Sequence, residues 1–183
     1  MPRLIALLRG INVGGRNVLA MADLRAVMDD LGFDNVATYI QSGNVVFDVA
    51  GAAAQDEPAI AEGIAASIAQ RHGLSVRVVL RSVGELARAA VGHPDADSGI
   101  DAKLLHVAFL DADPSAAAVG ALDPGPYEPD GWTVVGRDVY VRYPNGSARS
   151  KLTLDVFEQA FAVTATARNL NTVRKLVELA AKS

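Results

Sequence analysis

The stretch Val36-Ala37-Thr38-Tyr39-Ile40-Gln41-Ser42-Gly43-Asn44-Val45-Val46-Phe47-Asp48-Val49 decides the fold. Two short runs rich in β-branched and aromatic residues, Val36 to Ile40 and Val45 to Val49, flank the small polar segment Gln41 to Asn44 with its glycine. That arrangement predicts two antiparallel strands joined by a tight connection.

Outward toward the N-terminus, Leu4 to Leu8 is an apolar run that reads as a buried strand, and Met21, Leu24, Val27, Met28 and Leu31 recur at helical spacing before Gly32. A glycine there suits a helix C-terminal cap. Outward in the other direction, residues 50 to 58 are rich in alanine, glycine and acids and are expected to be exposed. Ile60, Ile64 and Ile68 then mark a helix ending near Gly73, and Leu74, Val76, Val78 and Leu80 alternate as a strand. Residues 3 to 81 thus read strand, helix, strand, strand, helix, strand, the order of a ferredoxin-like unit. Ser82 and Glu85 form a capping box that opens a short helix through Val91.

His93-Pro94-Asp95-Ala96-Asp97-Ser98-Gly99 has turn formers and no periodicity, so it reads as a linker. The expected division is residues 1–92, a linker over 93–102, and a second unit over 103–183. In that second part Leu104 to Leu110 is a strand, and Asp113-Pro114 supplies a cap and a first helical proline. Trp132 to Val135 and Val139 to Tyr143 make a second hairpin, Leu152 to Phe161 is a helix, and Thr164 to Arg168 is a short edge strand. The last helix carries Val173, Leu176, Val177 and Ala180 on one face, which would tie down the C-terminus. The fold class expected is α+β: two ferredoxin-like (βαββαβ-type) units with mostly antiparallel sheets and extra helices. The two halves repeat in element order, without residue-level identity that the sequence makes convincing.

Composition narrows the function classes. The chain has 183 residues, 50% hydrophobic, with a formal net charge of -4 and no cysteine. Disulfides, thiol nucleophiles and thiolate metal sites are excluded. The acidic balance disfavours broad binding to nucleic acid, although a local basic patch is compatible with it. His72, His93 and His106 lack ligand spacing, so no metal is expected. No run approaches the roughly 18 apolar residues of a membrane span, and the apolar run after Arg3 is too short for a secretory signal. A cytoplasmic protein without a membrane partner is the expectation; the oligomeric state stays open.

Three polar loops are candidate sites. In the first, Arg9-Gly10-Ile11-Asn12-Val13-Gly14-Gly15-Arg16-Asn17, three glycines and two arginines stand between a strand and a helix. Glycine lets a ligand approach the backbone, and arginine offers a planar fork to phosphate or carboxylate. Gly10-x4-Gly15-Arg16-Asn17 superficially matches a phosphate loop, but arginine replaces the lysine and asparagine the metal-binding hydroxyl. The dinucleotide pattern of spaced glycines is absent too. No cofactor is expected.

In a ferredoxin-like unit the first and second strands run the same way, so Arg9 to Asn17 and Gln41 to Asn44 become neighbours at one sheet edge. Arg9, Asn12, Gly14, Gly15 and Arg16 would form one wall of an anion site, with Gln41, Ser42 and Asn44 beside them. Alternatively Gly43 and Asn44 are only turn residues.

The second loop, Asn145 to Lys151, precedes a helix, so Arg149, Ser150 and Lys151 could complete an anion site at its N-terminus; alternatively Ser150 is an N-cap and both bases are solvated. In the third, Arg168 and Asn169 are candidates, against a reading in which Asn171 caps the last helix and Arg168 is a paired surface charge. No residue is singled out as catalytic: Ser42 and Ser150 have no evident histidine partner, and His106 and Tyr39 read as packing residues inside strands.

The chain resembles a bacterial family labelled domain of unknown function 1697. The resemblance rests on Ala6 to Gly15, Thr38 to Phe47, Arg149-Ser150-Lys151-Leu152 and Ala165 to Val173. The last motif departs from the family pattern at Leu170, where tryptophan is usual. The family implies a duplicated α+β unit and no known activity. The expected function is binding of a phosphate-bearing or other anionic ligand, a nucleotide or a short nucleic-acid segment. The alternatives are an enzyme acting on such a ligand, or an interaction module that self-associates.

Overall fold

A computed structural model describes residues 1–51 and 56–182. The expected exposed stretch 50–58 therefore falls partly, at residues 52–55, outside the described residues. Strand β1 (Arg3–Leu8), helix α1 (Met21–Asp30), β2 (Asp34–Tyr39), β3 (Asn44–Asp48), α2 (Glu57–His72), β4 (Val78–Ser82) and α3 (Val83–Val91) follow in order. Then come β5 (Leu105–Leu110), α4 (Ala116–Ala121), β6 (Gly131–Val135), β7 (Asp138–Arg142), α5 (Leu154–Phe161), β8 (Ala165–Asn169) and α6 (Leu170–Ala180). The strands form two four-stranded antiparallel sheets of identical order, β2-β3-β1-β4 and β6-β7-β5-β8. The fold is α+β with two similar units.

By its contacts the chain divides into Met1–Leu86 with Leu176–Ser183, and Ala87–Lys175. Residues 93–102 thus fall inside the second unit.

In the first unit Leu4, Ala6 and Leu8 of β1 share one core with Val45 and Phe47 of β3, Leu24, Val27 and Met28 of α1, and the isoleucines of α2. Of the stripe predicted for α1, Met21 is partly buried against this core and Leu31 is 38% exposed. Gly73 ends α2 at φ 64°, as the sequence predicts. Strand β4 begins only at Val78, so Leu74 and Val76 lie outside it; the alternation there reflects packing onto the core instead of ladder pairing.

Arg3 fastens the ends of this unit. Its guanidinium donates to Asp48 Oδ1 at 2.7 Å and Oδ2 at 3.0 Å, and to the carbonyls of Ala180 and Lys182. A cation there meets the free carbonyls of the C-terminal end of α6.

In the second unit the core joins Ala108 and Leu110 of β5, Val139 and Val141 of β7, and Phe157 and Phe161 of α5. The cap of α4 is Ser115, whose Oγ accepts from Ala118 N at 3.1 Å, and not Asp113-Pro114. Serine two residues after Asp113 offers a side-chain oxygen acceptor with the extended backbone that an N-cap needs. Tyr143 lies just past β7 and donates its hydroxyl to Leu152 O at 3.0 Å.

The repeat also extends to individual residues. Arg81 faces Ile5 in the β1–β4 ladder, and Arg168 faces Val107 in the β5–β8 ladder. Both are buried, and each donates Nη1 to the carbonyl of its own preceding residue, Leu80 or Ala167, at 2.8 Å. The next residue caps the following helix in both cases. Ser82 exchanges hydrogen bonds with Glu85 as a capping box, and Asn169 Oδ1 accepts from Thr172 N at 2.9 Å. Side chains of different chemistry, serine and asparagine, do the same work, which hides the correspondence from the sequence.

Candidate functional site

The glycine loop of the first unit is a miniature hairpin. Arg16 N donates to Val13 O at 3.0 Å and Asn12 N to Asn17 O at 3.1 Å, with Gly14 and Gly15 at φ 58° and 73° between them. Positive φ at both central residues is the signature of a type I′ turn, so the paired glycines are accounted for by backbone geometry.

The loop does lie beside Gln41 to Asn44. Leu8 N donates to Gly43 O at 2.8 Å, and Asn12 Nδ2 donates to Gln41 O at 2.7 Å. Gly43, at φ 75°, is where they touch: a Cβ there would sit 2.7 Å from Ile11 Cδ1 and 2.8 Å from Leu8 Cβ.

Most polar atoms at this edge are spent internally. The Asn12 amide also donates to Leu19 O and accepts from Leu19 N, both at 2.9 Å. Asn17 Nδ2 donates to Gly10 O. Asn44 is fully buried and donates to Tyr39 O at 3.0 Å and Ser42 Oγ at 2.9 Å. The amides work as staples. Arg16 and Gln41 are exposed and Arg9 is partly exposed, and beside them Val13, Val18 and Ile40 are 64%, 69% and 48% exposed. Ile40 adopts φ 49°, a conformation rare for a β-branched residue.

The second loop is different, because it lines a concavity. Asn145, Gly146, Arg149, Ser150 and Lys151 border a space of about 190 Å³, with Tyr127 and the segment Glu128-Pro129-Asp130 on the far side. Helix α5 begins later than the sequence suggests, with Thr153 as its N-cap, so Ser150 does not cap it and the two bases are not at its first turn. Ser150 is instead a clamp: its Oγ donates to Asp130 Oδ2 at 2.5 Å and accepts from Leu152 N at 2.8 Å. Arg149 and Lys151 are exposed on either side of it.

The third loop is not a surface site. Arg168 is buried and donates to Thr166 Oγ1 at 2.9 Å, and burial pushes its guanidinium down to about 10, so it stays charged at neutral pH. Asn169, and not Asn171, caps α6, because its side chain reaches the N–H of Thr172.

Several residues that the sequence reading passed over stand out. Trp132 and Arg142 line a larger cavity of about 630 Å³, on whose wall Glu128 to Asp130 appear again. The available signal was the connection Asp123-Pro124-Gly125-Pro126-Tyr127-Glu128-Pro129-Asp130-Gly131, a long proline-rich loop with Tyr127 at its middle and Trp132 directly after it. His93 is buried, with Nε2 3.2 Å from Val141 O and Nδ1 accepting from Asp95 N at 3.2 Å. These contacts define a neutral ring with its proton on Nε2, and burial lowers its pKa. His106 is also lowered by burial, and its Nδ1 has no partner among the described residues. No described helix is long and apolar enough to cross a membrane.

Among solved structures the chain is similar to that of conserved bacterial protein SP0830 from Streptococcus pneumoniae, with 23% identity, a TM-score of 0.71, and coverage of 100% of this chain and 99% of the other. At that identity the likeness establishes the fold. No curated protein matches. The duplicated α+β architecture is accompanied by a direct sequence match over residues 1–140, and the chain belongs to the family described as protein of unknown function (DUF1697).

Proposed function

We propose that the protein binds a small ligand bearing one oxyanion group, such as a phosphate monoester, at the loop Asn145 to Lys151. What carries the reading is that Arg149 and Lys151 border one concavity with Asn145, while the Ser150 clamp to Asp130 fixes the loop between them. Two bases held by a fixed backbone provide charge-assisted hydrogen bonds with little ordering cost. Glu128 and Asp130 on the opposite side repel additional negative charge. A single oxyanion with hydrogen-bond donors elsewhere on the ligand suits this lining better than a polyphosphate or a nucleic-acid strand. In this reading the amides of the first-unit loop hold that unit's edge together, and Arg16 is a surface charge.

The test is thermal unfolding with inorganic phosphate, against sodium chloride at matched ionic strength. Near a hundredfold excess over Kd, the wild type gains roughly 5–10 °C in Tm, from a linkage contribution of about 2.7 kcal/mol. Arg149→Ala and Lys151→Ala abolish most of that gain, and Arg16→Ala keeps it. A flat wild-type response overturns the reading and leaves the exposed apolar edge at Val13, Val18 and Ile40 as the better-supported surface, in keeping with an interaction module.

A further inference from the structure

The cavity of about 630 Å³ in the second unit has a composition unlike that of the basic loop. Leu122, Pro124 and Trp132 give it apolar walls, and Glu128, Asp130 and Arg142 supply two carboxylates and one guanidinium. Its volume falls within the range of small-molecule sites.

Arg142 is placed in this cavity by its partner in the ladder. Gly131 faces Arg142 across β6 and β7, and a Cβ at Gly131 would come 3.1 Å from Arg142 Nη2. The glycine thus makes room for the guanidinium to lie across the strand. The guanidinium is weakly held there: Nη1 reaches Asp95 Oδ1 only at 3.5 Å, the outer limit of a hydrogen bond, and Nε is buried without a partner among the described residues. It keeps donor capacity that the protein does not use.

We infer that this cavity binds a small zwitterion, an α-amino acid with an apolar side chain. The ligand's carboxylate would meet Arg142, its ammonium would meet Asp130 and Glu128, and its side chain would lie against Leu122, Pro124 and Trp132. This assignment gives the two carboxylates a cation and gives Arg142 a closer partner than Asp95, which holds it only at 3.5 Å; a simple cation or a simple anion would do one of these and not both. The two sites share the wall Glu128 to Asp130 but differ in their cations: this one uses Arg142, with Trp132, and not Arg149 and Lys151.

Trp132 is the single tryptophan of the chain, so its emission reports the cavity directly. The full chain is titrated with L-leucine, N-acetyl-L-leucine and L-leucinamide, none of which fluoresces. L-leucine shifts the emission saturably, and each blocked derivative binds about tenfold more weakly, since each loses one charged partner. Arg142→Gln brings L-leucine down to the level of L-leucinamide, while Arg149→Ala leaves the L-leucine response unchanged. No saturable response to L-leucine, or equal responses to all three compounds, overturns the inference from wild-type protein alone. Failure of phosphate binding with a surviving L-leucine response would separate this site from the basic loop.

Discussion

The two units share strand order, a buried arginine on the last strand and a side-chain cap immediately after it, yet they treat their polar groups in opposite ways. At the loop edge of the first unit Asn12, Asn17 and Asn44 consume their amides on neighbouring carbonyls. In the second unit Arg142 Nε and His106 Nδ1 are buried without partners among the described residues, and two concavities open around Glu128 to Asp130. A topology repeated twice does not repeat its polar side-chain contacts. A closed hydrogen-bond network gives rigidity, whereas donors left over beside a cavity give a place for a ligand.

The largest test of this contrast compares the two hairpin glycines. Gly43→Ala forces a Cβ into Ile11 and Leu8 at positive φ and should cost about 3 kcal/mol or more in chemical denaturation. Gly136, at φ 57°, has only Asp113 Oδ1 at 3.5 Å near the same position, so Gly136→Ala should cost about 1–2 kcal/mol. Equal costs would break the claim that the edge of the first unit is the tighter one.

Next in size is Asn12→Ala, which removes three hydrogen bonds that tie the glycine loop to Leu19 and Gln41. A loss of about 1–2 kcal/mol is expected, with no change in the phosphate-dependent rise in Tm. A loss of that rise would return the ligand site to the first unit.

The smallest effect separates the units by pH. Burial holds His93 and His106 below their ordinary 6.5, so below that pH the unfolded chain takes up protons that the folded chain resists. Their contribution is complete above about pH 6.5 and declines as the pH falls below it. In the first unit Asp48 is lowered to about 2, chiefly by the hydrogen bond from Arg3 and further by Asn35. That contribution is complete above the ordinary 3.8 and is lost as the pH falls toward 2. Unfolding followed by Trp132 emission at stepped pH should show the histidine-dependent decline, reduced in His93→Gln. Asp48→Asn should reduce only the loss at lower pH. A decline near pH 6 that is unchanged in His93→Gln would remove the histidine from the account.

The sequence by itself determined the order of elements, the hairpins and the buried stripes, because the signals are local: Ile60, Ile64 and Ile68 recur on one helical face, and Gly43 or Gly73 supplies a backbone conformation within its own turn. The ferredoxin-like element order, in which the first and second strands run the same way, also places Arg9 to Asn17 beside Gln41 to Asn44. Tertiary structure alone decided what each polar side chain does. His93 reads as part of a linker because its partner, Val141, lies 48 positions away, and Arg168 reads as surface because nothing in its neighbours announces burial. Asn12 looks like a ligand residue until Leu19 and Gln41 take its amide. Arg142 gains its place from a glycine on the facing strand, eleven positions earlier in the chain. Periodicity is written residue by residue along the chain, whereas a hydrogen-bond partner or a cavity wall is supplied by a segment that only folding brings near.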